Sequence, residues 1–163
     1  LRNSLDDFFK YRLDGRYYFT PFNRLTLAAH GRLGYIEPFG KKSRIPEDQL
    51  FFLGGIADVR GFAENRLRFD DENDPVGGRV HILGSAEARL ELGLNFELAL
   101  FYDTGAVREP LVDVGKDEFR SSAGIGLRYI TPIGPIGGMY GWKLDRKPGE
   151  DPGAFHFAIG YTF

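Results

Sequence analysis

An all-β fold, an antiparallel β-barrel that crosses a membrane, is what this sequence predicts, and three observations predict it. Apolar residues recur with a period of two in about seven segments of roughly ten residues, the length a tilted strand needs to cross a bilayer. Glycine (22 of 163 residues) and aromatics (15%) are abundant, a mixture that favours turns and pleated surfaces over helices. Connections between the segments alternate short and long, as up-and-down strands with short periplasmic turns and long extracellular loops require.

The first segment sets Phe9, Tyr11, Leu13, Gly15, Tyr17 and Phe19 against Lys10, Arg12, Asp14, Arg16, Tyr18 and Thr20. Pro21-Phe22-Asn23 supplies a turn, and Leu25, Leu27, Ala29, Gly31, Leu33 and Tyr35 then oppose Thr26, Ala28, His30, Arg32 and Gly34. A polar, glycine-rich connection runs from about Glu37 to Val76. The alternation resumes with Ala86, Ala88, Leu90 and Leu92 against Ser85, Glu87, Arg89 and Glu91. After Gly93 comes a face of Leu94, Phe96, Leu98, Leu100 and Tyr102, with Asn95, Glu97 and Asp103 opposite. Ala123, Ile125, Leu127 and Tyr129 form one further face, and Ile136, Gly138, Tyr140 and Trp142 the next, joined through Pro132-Ile133-Gly134-Pro135. Phe155, Phe157, Ile159, Tyr161 and Phe163 line one side of the last segment. Gly105 to Glu118 and Asp145 to Gly153 are the other long, charged connections.

A soluble sandwich also alternates, with its charges on a solvent face. The membrane reading is favoured because a greasy face recurs in every segment. The opposite face carries mid-strand charges (Arg12, Asp14, Arg32, Glu87, Arg89, Arg128) that a wet lumen would accommodate. No apolar run is long enough for a membrane helix. With no cysteine, disulfides and thiolate metal sites are excluded, and a net charge of −2 gives no nucleic-acid signal. No secretory signal is visible from Leu1. If the protein is exported, its leader has been removed or the sequence starts in mid-protein.

Three segments carry more than pattern. Gly54-Gly55-Ile56-Ala57-Asp58-Val59-Arg60-Gly61-Phe62 lies in the longest connection, Phe101-Tyr102-Asp103-Thr104-Gly105 ends a strand, and Ser122 to Tyr129, Pro132 to Pro135 and Tyr140-Gly141-Trp142 lead into the terminal segment. In order and spacing these resemble the C-terminal barrel of the BamA/TamA-type outer-membrane protein assembly factors, the POTRA-barrel superfamily, across essentially the whole chain. The first resembles the family's Val-Arg-Gly-Phe signature, the second its Phe-x-Asp-x-Gly strand end. The resemblance implies a sixteen-strand barrel behind periplasmic POTRA domains, a sixth extracellular loop folded back into the lumen, and insertion or translocation of other outer-membrane proteins without ATP. On this reading residues 1–163 are the C-terminal part of the barrel, about seven or eight strands, and hold no POTRA domain. Function is then expected of the parent, whose lateral seam lies between the first and last strands. The run Ile136-Gly137-Gly138-Met139 is richer in glycine than that pattern leads one to expect.

The expected site is a lock between loop and lumen made by Val59, Arg60, Gly61, Phe62, Glu87 and Asp103. Glu87 and Asp103 lie on the polar faces of the two strands after the loop, and the resemblance implies that Arg60 bonds to them there. A guanidinium fork suits carboxylates, and a buried charge needs such partners. The plain alternative is that Arg60 caps a surface loop. The second expected site is the terminal strand, whose Phe155, Phe157, Ile159, Tyr161 and Phe163 resemble the C-terminal recognition signal of outer-membrane proteins. Its plain alternative, an ordinary lipid-facing strand, is compatible with that role.

No enzyme, cofactor or metal is expected. His30, His81 and His156 fall in different strands and lack zinc-type spacing. Asp70-Asp71-Glu72-Asn73-Asp74 lacks the spacing of a calcium loop and reads as a solvated run, and Arg66 and Arg68 beside lipid phosphates is a weaker reading. Expected partners are outer-membrane lipids, client outer-membrane proteins of the parent, and a second copy through open strand edges; nucleic acid is not expected. The competing readings are a structural barrel with no activity of its own, closed by an eighth strand from Leu1 to Asp7 or within the long loop, and a two-partner secretion transporter. An outer-membrane lipase or protease barrel is the least favoured.

Overall fold

The structure, a computed structural model, describes residues 7–39, 45–70, 72–110 and 119–162. They form one seven-stranded antiparallel meander in sequence order. Its strands are β1 (Phe8–Phe22), β2 (Leu25–Pro38), β3 (Val80–Gly93), β4 (Phe96–Arg108), β5 (Arg120–Thr131), β6 (Gly134–Lys143) and β7 (Gly153–Ile159). The connection between β2 and β3 contains a single 3₁₀ turn, Glu47–Gln49, and isolated bridges from Phe51 to Gly78 and from Phe69 to Pro75. Among the described residues no eighth strand forms in it, and the stretch proposed from Leu1 lies outside them except for Asp7. Among the described residues, β1 is paired on one side, to β2, and β7 on one side, to β6.

The two faces differ as alternation demands. Outward lie Tyr11, Leu13, Phe19, Leu33, Leu100, Leu127, Trp142 and Phe155, all large, apolar and exposed. So large a greasy surface would associate or precipitate in water, and it suits lipid. Inward lie Arg60, Glu87, Asp103, Arg120, Ser122 and Arg128, all buried. The long connection covers this inner face. Leu53, Val59, Phe62 and Leu67 from the loop pack with Leu83 of β3 and Val107 of β4 into one apolar cluster. The sheet thus has its core on the side that a barrel would call its lumen.

Local chemistry fixes the turns. Leu94 and Asn95, at φ 51° and 64°, make the two-residue β3–β4 turn with left-handed backbone at both positions, as the right-handed twist of a hairpin prefers. The β1–β2 turn sits one residue later than the sequence suggests. β1 continues through Pro21 to Phe22, with its register broken between Phe19 and Phe22, where a proline without a ladder N–H is tolerated. β3 begins earlier than expected, at Val80, because its inner positions His81 and Leu83 meet the loop and so need not be charged.

Candidate lumen lock and its ion cluster

Two consecutive glycines start the loop segment that matters. Gly54 and Gly55 adopt φ 114° and 103°, left-handed values that a side chain disfavours. They fold 54–62 back on itself, with the Gly55 N–H donating to the Phe62 carbonyl at 3.0 Å. This bend lays Val59, Arg60 and Gly61 flat on the inner face of β4–β6. Glycine on the strands makes room for them. A Cβ at Gly141 would meet the Arg60 backbone at 2.6 Å, one at Gly105 would press on Leu53 and Val59 at 3.0 Å, and one at Gly61 would press on Ser122.

Arg60 is 1% exposed and uses its donors on two carboxylates. Nε donates to Asp103 Oδ2 at 2.8 Å and Nη2 to Asp103 Oδ1 at 2.7 Å, a two-pronged pair. The Arg60 backbone N–H adds a third bond to Asp103 Oδ2 at 3.0 Å. Nη1 donates to Glu87 Oε2. The guanidinium also stacks 3.7 Å from the Phe101 ring, and that ring fills the space above Gly124 on the neighbouring strand.

The cluster extends toward the short-turn end of the sheet. Glu87 Oε1 accepts from Arg89 Nε and from Arg128 Nη1, both at 2.7 Å, and Arg128 Nη1 also reaches Glu97 Oε1 at 3.0 Å. Glu97 and Arg128 are direct cross-strand partners. Three guanidinia (Arg60, Arg89, Arg128) therefore face three carboxylates (Glu87, Glu97, Asp103), and the buried set closes at zero formal charge. Burying unbalanced charge would be far costlier.

Other residues complete the loop's seat. Phe62 lies between two cations, Arg120 at 4.7 Å and Lys143 at 5.0 Å from its ring. Asp58 Oδ1 accepts from Arg32 Nη1 at 2.7 Å, which ties the loop to β2, and burial pushes the Asp58 carboxyl up despite that partner. Beyond the long-loop end of β5, burial works against ionising Glu150. Bonds from the Arg120 fork and the Lys147 N–H outweigh it and hold that carboxyl below its usual range.

The expected residues are thus placed as follows. Val59, Arg60, Gly61, Phe62, Glu87 and Asp103 come together. The sequence reading did not join Arg89, Glu97, Phe101, Arg128, Gly141 or His156 to them, although charge balance on the inner face would have pointed to the first, second and fourth. Phe155, Phe157 and Ile159 face outward and are exposed. Tyr161 does not continue that row. β7 ends at Ile159, Gly160 turns the chain at φ 94°, and the Tyr161 ring comes within 4.5 Å of the Arg89 guanidinium and 5.6 Å of that of Arg128. Phe163 lies outside the described residues, as does Asp71. The three histidines stay apart: His30 bonds Asp14 at 3.1 Å, His81 packs on Phe51 with ring centroids 4.2 Å apart, and His156 reaches the Arg60 carbonyl at 2.8 Å. Asp70 turns its carboxylate onto the backbone N–H groups of Glu72 and Asp74, while Arg66 and Arg68 donate to the loop carbonyls of Asn73 and Gly77.

Comparison with known proteins agrees with this architecture. The family model described as the Omp85 superfamily domain matches residues 3–163. The outer membrane protein assembly factor BamA of Neisseria meningitidis is 25% identical over 182 residues, covering 90% of this chain and 23% of its own length. BamA of Nitratidesulfovibrio vulgaris is 29% identical over 128 residues, 73% of this chain and 16% of its own. A SAM50-like protein of Schizosaccharomyces pombe is 27% identical over 120 residues, 66% of this chain and 25% of its own. The chain therefore spans a quarter or less of these relatives. Among solved structures, BamA from Haemophilus ducreyi lacking POTRA domains 1–3 superposes with a TM-score of 0.76 over 96% of this chain and 35% of that one, at 23% identity, which is a likeness of fold.

Proposed function

The chain belongs to the Omp85 superfamily and is a β-barrel segment of the bacterial outer membrane, and from that premise we propose that it is the C-terminal part of the barrel of an assembly factor that inserts or translocates β-barrel proteins. One observation carries the reading: a loop glycine-hinged at Gly54-Gly55 is held across the inner face by Arg60, whose fork is shared between Asp103 and Glu87. The loop and its neutralised ion cluster fill the inner face while the outer face stays apolar and exposed, the reverse of a sheet built for water. In a barrel the same device closes the lumen while leaving the wall free to act.

The acting part of the wall is its edge. Among the described residues β7 is a short strand paired on one side, so its other side presents N–H and C=O groups in register. Such an edge templates a client strand by main-chain pairing, independent of the client's side chains. Phe155, Phe157 and Ile159 place apolar groups beside it, where a client's own lipid-facing residues would arrive. The driving force is then the client's strand closure and burial in lipid, with no ATP. The partners that follow are outer-membrane lipids and unfolded client barrels.

The test is the folding rate of a small client barrel into liposomes that hold the full-length protein, against liposomes holding an unrelated barrel of similar size. Acceleration that disappears in an Arg60→Ala protein still folded in the bilayer is the expected result. Equal rates with both barrels would overturn the assembly reading and leave a structural barrel.

A further inference from the structure

We propose that His156 is a positioning residue that latches the edge strand β7 to the Arg60 loop, so that the loop lock and the hold on the terminal strand are one coupled device. β7 reads Gly-Ala-Phe-His-Phe-Ala-Ile, and His156 is its one side chain able to form a hydrogen bond. Its Nε2 lies 2.8 Å from the Arg60 carbonyl oxygen, from a position 96 residues away in sequence. A carbonyl only accepts, so Nε2 carries the proton and the imidazole donates. Neutral and protonated rings both satisfy this geometry, and the latch does not depend on the charge of the histidine.

The contact needs the loop to pass over β6, and the sequence is cleared for that passage. β6 carries Gly141 where a Cβ would strike the carbonyl carbon and oxygen of Arg60 and the nitrogen of Gly61. β7 in turn opens with Gly153, where a Cβ would strike the Gly141 carbonyl. The same Arg60 therefore holds three strands. Its side chain grips β3 and β4 through Glu87 and Asp103, and its carbonyl grips β7 through His156. With β6 as its single neighbour in the sheet, β7 gains its only other hydrogen-bonded tie among the described residues of that strand from this bond. Release of Arg60 from Asp103 removes the fixed carbonyl and leaves β7 held by its β6 ladder alone. Loosening of β7 in turn weakens the seat of the loop, since coupling is reciprocal.

The consequence for client insertion rests on the function proposed above, whereas the latch itself does not. The experiment is amide hydrogen exchange of the full-length protein in lipid nanodiscs, read over 154–159 and at the Arg60 amide, for wild type, His156→Ala, His156→Gln, Asp103→Asn and the His156→Ala/Asp103→Asn double variant. Expected are a rise of about tenfold in exchange over 154–159 for His156→Ala with a smaller rise at the Arg60 amide, which Asp103 still holds, and recovery with His156→Gln, whose amide also donates. Asp103→Asn is expected to loosen 154–159 when His156 is present and to add little when it is absent. Wild-type exchange over 154–159 in His156→Ala, or the same loosening by Asp103→Asn in both backgrounds, would overturn the latch. Client folding on the same samples separates the two ideas. A latch that behaves as described in a protein no faster than an unrelated barrel would defeat the assembly reading alone, and an active protein whose β7 ignores His156 would defeat the latch alone.

Discussion

At the scale of single residues the weight falls on Arg60. Its Nε, Nη1 and Nη2 donors, its backbone N–H and its π face are matched to Asp103, Glu87 and Phe101, and without it the Asp103 carboxylate would lose the guanidinium that balances it. Asp103 is fully buried, and Glu87 is left with two cations on one oxygen once Arg60 is gone. Removing one member of a buried ion set typically costs about 3–5 kcal/mol, because the remaining charge is stranded. Arg60→Ala is therefore expected to lower unfolding stability in lipid by that order, measured by urea titration in liposomes. Arg60→Lys keeps the charge but presents no fork, so it cannot serve Asp103 with two prongs and Glu87 at once. It is expected to recover only part of the loss. Full stability in Arg60→Lys would show that charge alone, without the fork, suffices to seat the loop.

At the scale of elements, the inner glycines explain why the loop lies where it does. Gly141 faces the loop backbone, whereas Gly84 faces outward and a Cβ there would find Thr104 at 3.7 Å, an ordinary contact. Gly141→Ala is expected to lift the loop and expose 54–62 to protease, while Gly84→Ala, on the lipid side, leaves digestion unchanged. Equal digestion of the two variants would mean that the loop is not seated through β6. The same packing decides what the sequence could disclose. The outer face was legible over most of its length, because lipid favours an apolar residue at every second position and only small or hydroxyl residues such as Gly15, Gly84 and Thr104 interrupt it. The inner face was legible where it is charged, polar or small. At His81, Leu83, Phe101, Val107 and Met139 the loop and the neighbouring strands replace water, so buried apolar or neutral residues stand where the alternation calls for polar ones. This is why the start of β3 and the role of Phe101 escaped the periodic reading. Arg60, Glu87 and Asp103 were reached through a motif resemblance, since no local pattern pairs residues in a loop and on two strands. Tyr161 departs from the alternating row for a simpler reason. Period two assumes an unbroken strand, and the left-handed Gly160 ends β7 and turns the half-exposed ring toward Arg89.

At the scale of the molecule, the sheet's two free sides set its behaviour in lipid. β1 runs for 15 residues with its outer ladder groups unpaired in the described structure, and β7 leaves its far edge open for 7. In hydrocarbon each unsatisfied backbone group costs several kcal/mol, so a lone open sheet is not a stable end state there. In the larger barrel proposed above, further strands would cover β1 and bring a partner close to β7. Deprived of them, the 163 residues folded alone in lipid are expected to find the nearest substitute, a second copy. The edges differ in length and charge: β1 offers Lys10, Arg12, Asp14 and Arg16 on its inner side, while β7 offers only His156. Head-to-tail pairing of β1 with β7 of a neighbour buries unlike edges and can close a ring, whereas β1 with β1 brings its cations together. Native mass spectrometry from nanodiscs is expected to show closed oligomers of this chain and a single copy when the upstream barrel strands are present. A stable single copy of the 163 residues would mean that β1 and β7 can pair with each other, and that the open sheet has a closed form of its own.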